Sequence, residues 1–226
     1  MVALALFWAD MKLNVYVDAF NLYYGSLFGT AYKWLNLLDF VQATFPGHQI
    51  NRIRYFTARV RARPHDPDQP TRQETYFRAL RTLPNLTIHQ GHYLEKPVRM
   101  ALFPVPASGA RIVQVLKSEE KGSDVNIATY LLMDAFENDY EGAVVVSNDS
   151  DLAEPIRLVR TKLRRRVFVL HPCSRGSRSP SIELRKAVGL RSGVPALVVN
   201  PVLLAAHQFA PTLTDAIGAF HKPARW

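Results

Sequence analysis

Four aspartates stand where buried strands should end or helices should begin. They are Asp18, Asp124, Asp149 and Asp151. The first follows the apolar run Leu13–Val17, and the last two follow the apolar run Gly142–Val146. Because the carboxyl ends of parallel strands share one edge of a sheet, acids far apart in sequence can converge there. Clustered carboxylates repel one another, and oxygen-only ligand sets suit Mg²⁺ or Mn²⁺. The sequence therefore predicts metal-dependent chemistry at that edge.

The elements that must position these acids alternate between strand and helix. Strands are predicted at Leu13–Val17, Ile50–Ala58, Leu86–Leu94, Arg111–Lys117, Ala143–Val146 and Val167–Leu170, and helices at Lys33–Phe45, Thr71–Leu83, Val125–Phe136, Leu152–Leu163 and Ser181–Val188. A loop or short edge strand is predicted over residues 97–109, which are rich in proline and small side chains. This alternation predicts an α/β fold with a parallel central sheet.

Length and charge limit the organisation and the partners. A chain of 226 residues is long enough for one large domain, predicted to span residues 1–226 with a core at about 11–172. The apolar extension 173–226 is expected to pack on the core or on a second copy, as a homodimer. The net charge of +9 favours anionic partners. An acidic stretch (119–154) lies between basic ones, and plain solvated surfaces explain that pattern equally well.

Several classes of site and location are disfavoured by the sequence. The chain has a single cysteine, Cys173, so an intrachain disulfide is impossible and a thiolate zinc site is not expected. The seven histidines show no HExxH spacing, which is the usual zinc-binding motif. The apolar opening MVALALFWAD is too short to cross a bilayer and has no basic n-region or cleavage site. Met11 is a credible alternative start. The expectation is a cytoplasmic protein without a membrane segment.

Three motifs carry a resemblance to a known family. They are VDAFNLYYG around Asp18, EEKGSDVNIATYLLMDA around Asp124, and VVVSNDSDLAEPIRLVR around Asp149. Together they resemble the NYN domain, a branch of the PIN-like nuclease superfamily that includes LabA-type bacterial proteins, over about residues 13–170. The third motif departs from the usual SGDSDF at Asn148 and Leu152, whereas its acids are intact. The resemblance implies a Mg²⁺- or Mn²⁺-dependent ribonuclease with a three-layer α/β/α sandwich and a central, mostly parallel sheet.

The resemblance and the charges together assign expected roles. The residues expected to bind the metal and to catalyse the reaction are Asp18, Asp124, Asp149 and Asp151. The expected partner is RNA, which could be single-stranded. The expected substrate-binding residues are Asn21, Lys121, Arg157, Arg164 and Arg165. Other arginines in Arg52–Arg63 and around residues 175–178 are further candidates for phosphate contacts. Tyr23 and Tyr24 are candidates to stack on bases, with core packing as the alternative.

Structural roles and rival activities compete with this interpretation. Asp18 and Asn21 could form a turn or helix cap, Asp124 could complement a helix dipole, and Asp151 with Glu154 fits a capping box. A haloacid-dehalogenase-like phosphatase would need an acid two residues after the first aspartate, where this chain has Phe20. A non-catalytic RNA-binding or scaffold protein of the same fold stays open, and metal-dependent RNA turnover by the purified protein separates it from the enzyme.

Overall fold

The computed structural model describes residues 10–173 and 179–226. The strands are β1 (Lys12–Asp18), β2 (Gln49–Thr57), β3 (Leu86–Gln90), β4 (His92–Ala101), β5 (Ile112–Lys121), β6 (Gly142–Val146), β7 (Arg166–His171), β8 (Leu197–Val198), β9 (Thr212–Asp215) and β10 (Gly218–His221). The helices are α1 (Ala19–Leu22), α2 (Leu37–Thr44), α3 (Gln69–Leu80), α4 (Ser123–Phe136), α5 (Ala153–Thr161), α6 (Ile182–Ala187) and α7 (Pro201–Ala206). The predictions for the apolar start and for the basic loop at 175–178 concern residues outside this description.

Six strands form the central sheet in the order β3-β2-β1-β6-β7-β8, and neighbouring strands run parallel. Helices α1, α2 and α3 contribute to the apolar core on one face, while α4, α5 and α6 contribute to the core on the other. The central strands β1 and β6 are buried on both faces, which is why they read as continuous apolar runs. The predicted α/β sandwich with a parallel sheet is confirmed.

The C-terminal residues add to the core on the α2–α3 face. Trp34 is fully buried there, and its indole N–H donates to the Ala210 carbonyl at 2.9 Å. Arg78 of α3 donates to both carboxylate oxygens of Asp215 at 2.6 and 2.7 Å, which ties the β9–β10 hairpin to the body. These contacts are made within one chain, and the homodimer remains a prediction.

The predicted strand Leu86–Leu94 is wrong in part. For residues 97–109 the sequence predicts a loop or a short edge strand, and residues 97–101 belong to strand β4. Strand β3 ends at Gln90, and β4 and β5 then pair antiparallel as a two-stranded arm outside the main sheet. At the base of this arm Gly91 approaches the Lys121 carbonyl so closely that a Cβ would lie 2.5 Å from it. At the arm's outer end Phe103 is 98% exposed. The predicted strand Arg111–Lys117 lies within β5, whereas the pairing of β5 with β4 was not predicted.

The predicted helix Lys33–Phe45 begins four residues later than expected. Asn36 caps α2, since its side-chain oxygen accepts from the backbone N–H groups of Leu38 and Asp39 at 3.1 and 3.3 Å. Trp34 therefore stands before the helix and serves as a core anchor instead of a helical residue. Across the described ranges 10–173 and 179–226, no helix combines the length and apolarity needed to cross a membrane.

Candidate functional site

The crevice between the carboxyl ends of β1 and β6 is the switch point of the sheet. From β1 the chain continues outward through β2 and β3, whereas β6 leads to β7 and β8 on the other side. Ligands in open α/β sheets bind at such a crevice. Asp18 is the last residue of β1, and Ser147 to Asp149 follow β6 directly. The structure therefore brings the first and third predicted motifs to the same place.

Asp18 is held rigidly at the bottom of this crevice. Its side chain is buried, and one carboxylate oxygen accepts the Asn21 backbone N–H at 3.0 Å. The other oxygen accepts the Asn21 side-chain amide at 2.8 Å and the Ser147 hydroxyl at 3.0 Å. Burial raises the pKa of Asp18, and these hydrogen bonds oppose that rise. Asp18 thus caps α1, as the structural alternative expected, and also presents a fixed carboxylate at the sheet edge.

The turn after β6 places Asp149 and links the two strand ends. Its backbone N–H donates to the Ser147 hydroxyl at 3.1 Å, and its carboxylate accepts the Asp151 N–H at 3.0 Å. The Asn148 N–H donates to the Asn21 side chain at 3.3 Å. Asp151 lies exposed in the short 3₁₀ turn that follows. Ser147 was missing from the sequence prediction, because a serine after a buried strand has no pattern of its own.

The capping box, which is the structural alternative for Asp151 and Glu154, is not formed. The Glu154 carboxylate instead accepts from the Arg157 guanidinium at 2.9 Å, one turn further along α5. Arg157 is therefore an exposed residue with an acidic partner on its own helix. Its predicted contact with substrate would have to displace that partner.

Asp124 begins α4 at the same edge and is coupled to the other acids. Its pKa rises to about 6, first through burial and then through neighbouring carboxylates, which belong to Asp18, Asp149, Glu120 and Asp151. Gly122, with φ of +101°, makes the tight turn into the helix. The other three predicted acids therefore raise the pKa of Asp124, together with a fifth.

Glu120 is that fifth acid. The sequence favours an exposed charge for Glu119 and Glu120, with contact to a metal as the alternative for either. The Glu120 carboxylate accepts from the Ser123 N–H at 3.2 Å and the Ser123 hydroxyl at 2.8 Å, so it caps α4 from the end of the arm. Its neighbour Glu119 pairs with Lys121 at 3.1 Å, which leaves Lys121 at the border of the acidic cluster. Glu120 stands four residues before Asp124, so the turn from the end of β5 into α4 brings it to the site.

The donor chemistry of this cluster fits a hard divalent cation. All five groups are carboxylates, and the mutual repulsion that raises the pKa of Asp124 is relieved by a bound cation. Within the part of the chain that the structure describes, no three acidic, histidine or cysteine side chains are close enough to ligate one ion as they stand. Coordination therefore requires side-chain rotations of the less buried acids toward Asp18.

Two predicted substrate-binding arginines lie away from the acids. Arg164 and Arg165 precede β7 and so lie at the amino end of a strand that runs parallel to β1 and β6. The six residues of β7 separate them from the acidic edge by roughly 16 Å. With Arg160 and Arg166 they line a separate cavity of about 380 Å³. Arg164 and Arg165 therefore lie at the opposite edge from the acids, and their contact with RNA phosphates stays a prediction.

The arginines of Arg52–Arg63 divide into structural and edge residues. Arg54 is buried against Asp134 at 2.7 Å, and Arg52 pairs with Asp139 at 3.1 Å, so the phosphate role suggested for this segment does not extend to Arg54. Arg61 and Arg63 follow the carboxyl end of β2, on the same edge as Asp18. There Arg63 lies near Tyr93, at the base of the arm. Burial raises the pKa of Tyr93, and the charge of Arg63 lowers it by a smaller amount.

His171, at the end of β7, gives the site region a testable acid sensitivity. Its Nδ1 pairs with the Asn148 side chain at 2.8 Å, while Nε2 is buried without a hydrogen-bond partner among the described residues. Burial, and then Arg185, lower the pKa of His171 from 6.5 to about 4. The unfolded chain therefore binds a proton between pH 6.5 and 4 that the folded chain does not. We expect this residue to remove about 3 kcal/mol of unfolding free energy across that window.

Urea unfolding of the wild type and of His171→Gln at pH 7.5 and 4.5 measures this contribution. The variant keeps an amide that can bond to Asn148 but has no titrating ring, so it should lose less stability on acidification. His221→Gln, which changes an exposed histidine, is the control and should behave as the wild type. Equal acid losses in all three proteins would contradict the assignment.

The sequence profile of the NYN domain matches residues 12–189. The chain is 30% identical to the 6-hydroxy-3-succinoylpyridine 3-monooxygenase HspA of Pseudomonas putida over 78% of its length, and it spans 64% of that relative's length. A crystal structure of a protein of unknown function from Vibrio parahaemolyticus superposes with a TM-score of 0.49 and 15% identity, over 84% of this chain and 94% of that one.

The profile match includes β1 to α6 and all of the acids at the switch point. These are the elements from which the crevice is built, and the match covers well over half of the chain. The protein therefore belongs to the NYN domain family, within the PIN-like nuclease superfamily.

Proposed function

We propose that this protein is a Mg²⁺- or Mn²⁺-dependent ribonuclease that hydrolyses phosphodiester bonds at the carboxyl edge of β1 and β6. The observation that carries the proposal is the state of Asp18. A buried carboxylate fixed by Asn21 and Ser147, and coupled to the neighbouring Asp149, is costly to build unless it receives a cation. Nucleases of this superfamily typically use divalent metal ions.

Each residue has a defined task in the proposed hydrolysis. Asp18, Asp124 and Asp149 would hold the metal, and Asp151 would complete the set from the exposed rim. A bound divalent ion supplies polarisation of the phosphoryl group and a lower pKa for an attacking water. Asn21 keeps the Asp18 oxygens oriented through its backbone and side-chain contacts. The positive charges on the same edge, foremost Lys121, would neutralise the phosphate backbone of the RNA.

The RNA is expected to pass Arg61 and Arg63, because these arginines lie on the same edge of the sheet as the acids. Changing Arg61 and Arg63 to glutamine should weaken binding of a short single-stranded RNA and flatten its salt dependence. Two lost phosphate contacts should reduce the slope of log affinity against log salt by about 1.4. Fluorescence anisotropy with a labelled oligonucleotide at about 50 to 300 mM salt measures the affinity and its salt slope. The expected change in slope assumes about 0.7 for each phosphate contact of a single strand.

The opposite edge supplies the matched comparison for this experiment. Changing Arg164, Arg165 and Arg166 to glutamine removes more charge, but at the amino end of β7. For an oligonucleotide too short to reach around the sheet, the salt slope should stay unchanged in that triple variant. A flattened slope there, with an unchanged slope in Arg61→Gln/Arg63→Gln, would place the RNA on the wrong edge for cleavage by the acids.

The test of the function itself is turnover of RNA by the purified protein with Mn²⁺, Mg²⁺ or EDTA. Cleavage with either ion and none in EDTA is the expected result. Binding without cleavage would favour the RNA-binding or scaffold alternative. The phosphatase alternative finds little support, because Phe20 occupies the position of the required second acid and packs against Tyr93 with ring centroids 5.8 Å apart.

A second candidate function comes from the curated relative, whose name describes a monooxygenase acting on a substituted pyridine. The observation that favours it is an aromatic-lined cavity beside α1 and α3. Such a reaction consumes O₂ and two electrons from an external reductant, with one oxygen entering the ring and the other leaving as water. Oxygen consumption and a hydroxylated product with 6-hydroxy-3-succinoylpyridine and a reductant would support this candidate, and their absence would remove it.

A further inference from the structure

A cavity of about 100 Å³ lies between α1, the carboxyl end of β2 and the first turns of α3. Its walls include the rings of Tyr23, Tyr55, Tyr76 and Trp226, and the Trp226 and Tyr76 rings meet with centroids 5.6 Å apart. Burial raises the pKa of Tyr55 and the Asp18 carboxylate adds to that rise, so the cavity reaches the neighbourhood of the acidic site. Flat apolar walls of this kind suit an aromatic ring.

Positive charge collects beside this aromatic wall. Lys33 and Arg72 line the cavity, and burial, then Arg72, then Lys222 lower the pKa of Lys33. The acid that offsets them is Asp66, which already binds Arg72 at 2.5 Å and Arg225 at 3.3 Å. Four cations against one carboxylate leave a net positive charge at this place. A ligand that brings an anionic group would relieve the repulsion among these cations.

Arg72 also has a hydrogen-bond donor to offer. Its Nη2 is used by Asp66, whereas Nη1 is buried without a partner among the described residues. A buried guanidinium N–H that is left unpaired costs free energy, and an anionic oxygen is the acceptor that it binds most strongly. The wall residue Tyr76 is already satisfied, because its hydroxyl donates to the Leu35 carbonyl at 2.9 Å. Of these two lining residues, Arg72 is therefore the one with an unpaired polar atom.

The volume limits the size of the ring. An apolar cavity of about 150 Å³ holds a benzene molecule, so about 100 Å³ with an open mouth admits one six-membered ring whose substituents extend outward. The two fused rings of a purine exceed this space. The cavity thus has room for one flat ring, cations that would bind an anionic substituent of that ring, and a position next to Asp18.

We propose that this cavity binds a single-ring heteroaromatic ligand that carries an anionic group, with the ring among Tyr23, Tyr76 and Trp226 and the anion at Lys33 and Arg72. Two sources share this chemistry, namely a pyrimidine nucleotide and a free heteroaromatic acid. The binding goes beyond phosphodiester hydrolysis at the acidic site and needs no metal ion, so it stands or falls separately from the nuclease.

Tryptophan fluorescence of the full chain tests the proposal, because Trp226 forms part of the wall. UMP, CMP, AMP, GMP and pyridine-3-carboxylate are titrated in EDTA and without RNA. We expect saturable quenching by UMP and CMP, by pyridine-3-carboxylate, or by both, with AMP and GMP weaker than the best ligand by about tenfold or more. Binding of UMP alone identifies a nucleotide site, and binding of the pyridine acid alone identifies a free acid. No saturable quenching by any of these single-ring anions, or purine nucleotides as strong as the best of them, would overturn the proposal.

Two variants test the anionic contact and the signal. Lys33→Gln should weaken the best ligand by about fivefold or more, through loss of one charge-assisted contact. Lys96→Gln, which changes an exposed lysine on the β4–β5 arm, should leave the affinity unchanged. Trp226→Phe should remove the quenching while thermal unfolding remains cooperative. An unchanged affinity in Lys33→Gln would overturn the assignment of the anion site. RNA cleavage is not measured here, so failure of the nuclease proposal would leave these results intact.

Discussion

Replacing Asp18 by asparagine should lower metal-dependent RNA cleavage by more than about a hundredfold while the fold persists. The change removes a ligand charge from the deepest acid but keeps the size of the side chain. Asparagine retains an oxygen for the Asn21 N–H and an amide that can donate to the Ser147 hydroxyl, so the cap of α1 can be kept. Single-turnover cleavage rates in Mn²⁺, together with circular dichroism and thermal unfolding, separate catalysis from folding.

An exposed aspartate outside the cluster provides the control for that experiment. Asp68 precedes α3, is exposed, and makes no side-chain capping hydrogen bond. Asp68→Asn changes the net charge by the same amount, so it should cleave RNA at the wild-type rate. Undiminished cleavage by Asp18→Asn, in a preparation shown to be free of contaminating nuclease, would exclude the proposed site. A folded Asp18→Asn protein that still binds the RNA would strengthen it.

The parts of this site that could be predicted from sequence depend on the parallel sheet. Runs such as Gly142–Val146 are apolar throughout because both faces of the strand are covered, and this pattern reveals a central parallel strand. Once the strands are parallel, acids that follow them must share an edge. Asp18 and Asp149 could therefore be brought together by strand direction alone. The same argument places Arg164 at the other edge, since it precedes its strand.

The remaining parts depend on pairings between distant segments. Strand β5 pairs with β4 outside the main sheet, whereas the sequence predicts a strand at Arg111–Lys117 without its partner. Ser147 becomes important through a hydrogen bond to a residue 129 positions away in sequence. The cavity next to α1 is completed by Trp226, which is far from α1 in the sequence. No local pattern encodes contacts of this kind.

Removing the charge of Asp134 should produce a large loss of stability. Its buried carboxylate accepts Nε and Nη2 of Arg54, both at 2.7 Å, and the Tyr16 hydroxyl at 2.7 Å. Asp134→Asn leaves the guanidinium buried without its counter-charge, which costs about 3–5 kcal/mol. For a chain of this size, the Tm should fall by roughly 6–20 °C. Chemical and thermal unfolding measure both quantities.

The matched control is an ion pair of similar geometry in water. Glu154 pairs with Arg157 on the surface of α5, and both side chains are more than half exposed. Glu154→Gln should therefore change the unfolding free energy by no more than about 1 kcal/mol. If the two variants lost equal stability, burial would not be the cause of the effect. The ion pair of Asp134 would then be no stronger than a surface contact.

A double replacement shows whether the loss comes from the stranded charge or from the missing attraction. Arg54→Met with Asp134→Leu removes both charges, and such apolar replacements of buried pairs are often neutral or stabilising. The double variant should thus be more stable than Asp134→Asn alone, although the Tyr16 hydroxyl loses its acceptor and limits the recovery. Adding Tyr16→Phe should recover more. If the double variant were no more stable than Asp134→Asn, the unpaired guanidinium of Arg54 would not be the cause of the loss. The loss would then come from the missing attraction between Arg54 and Asp134.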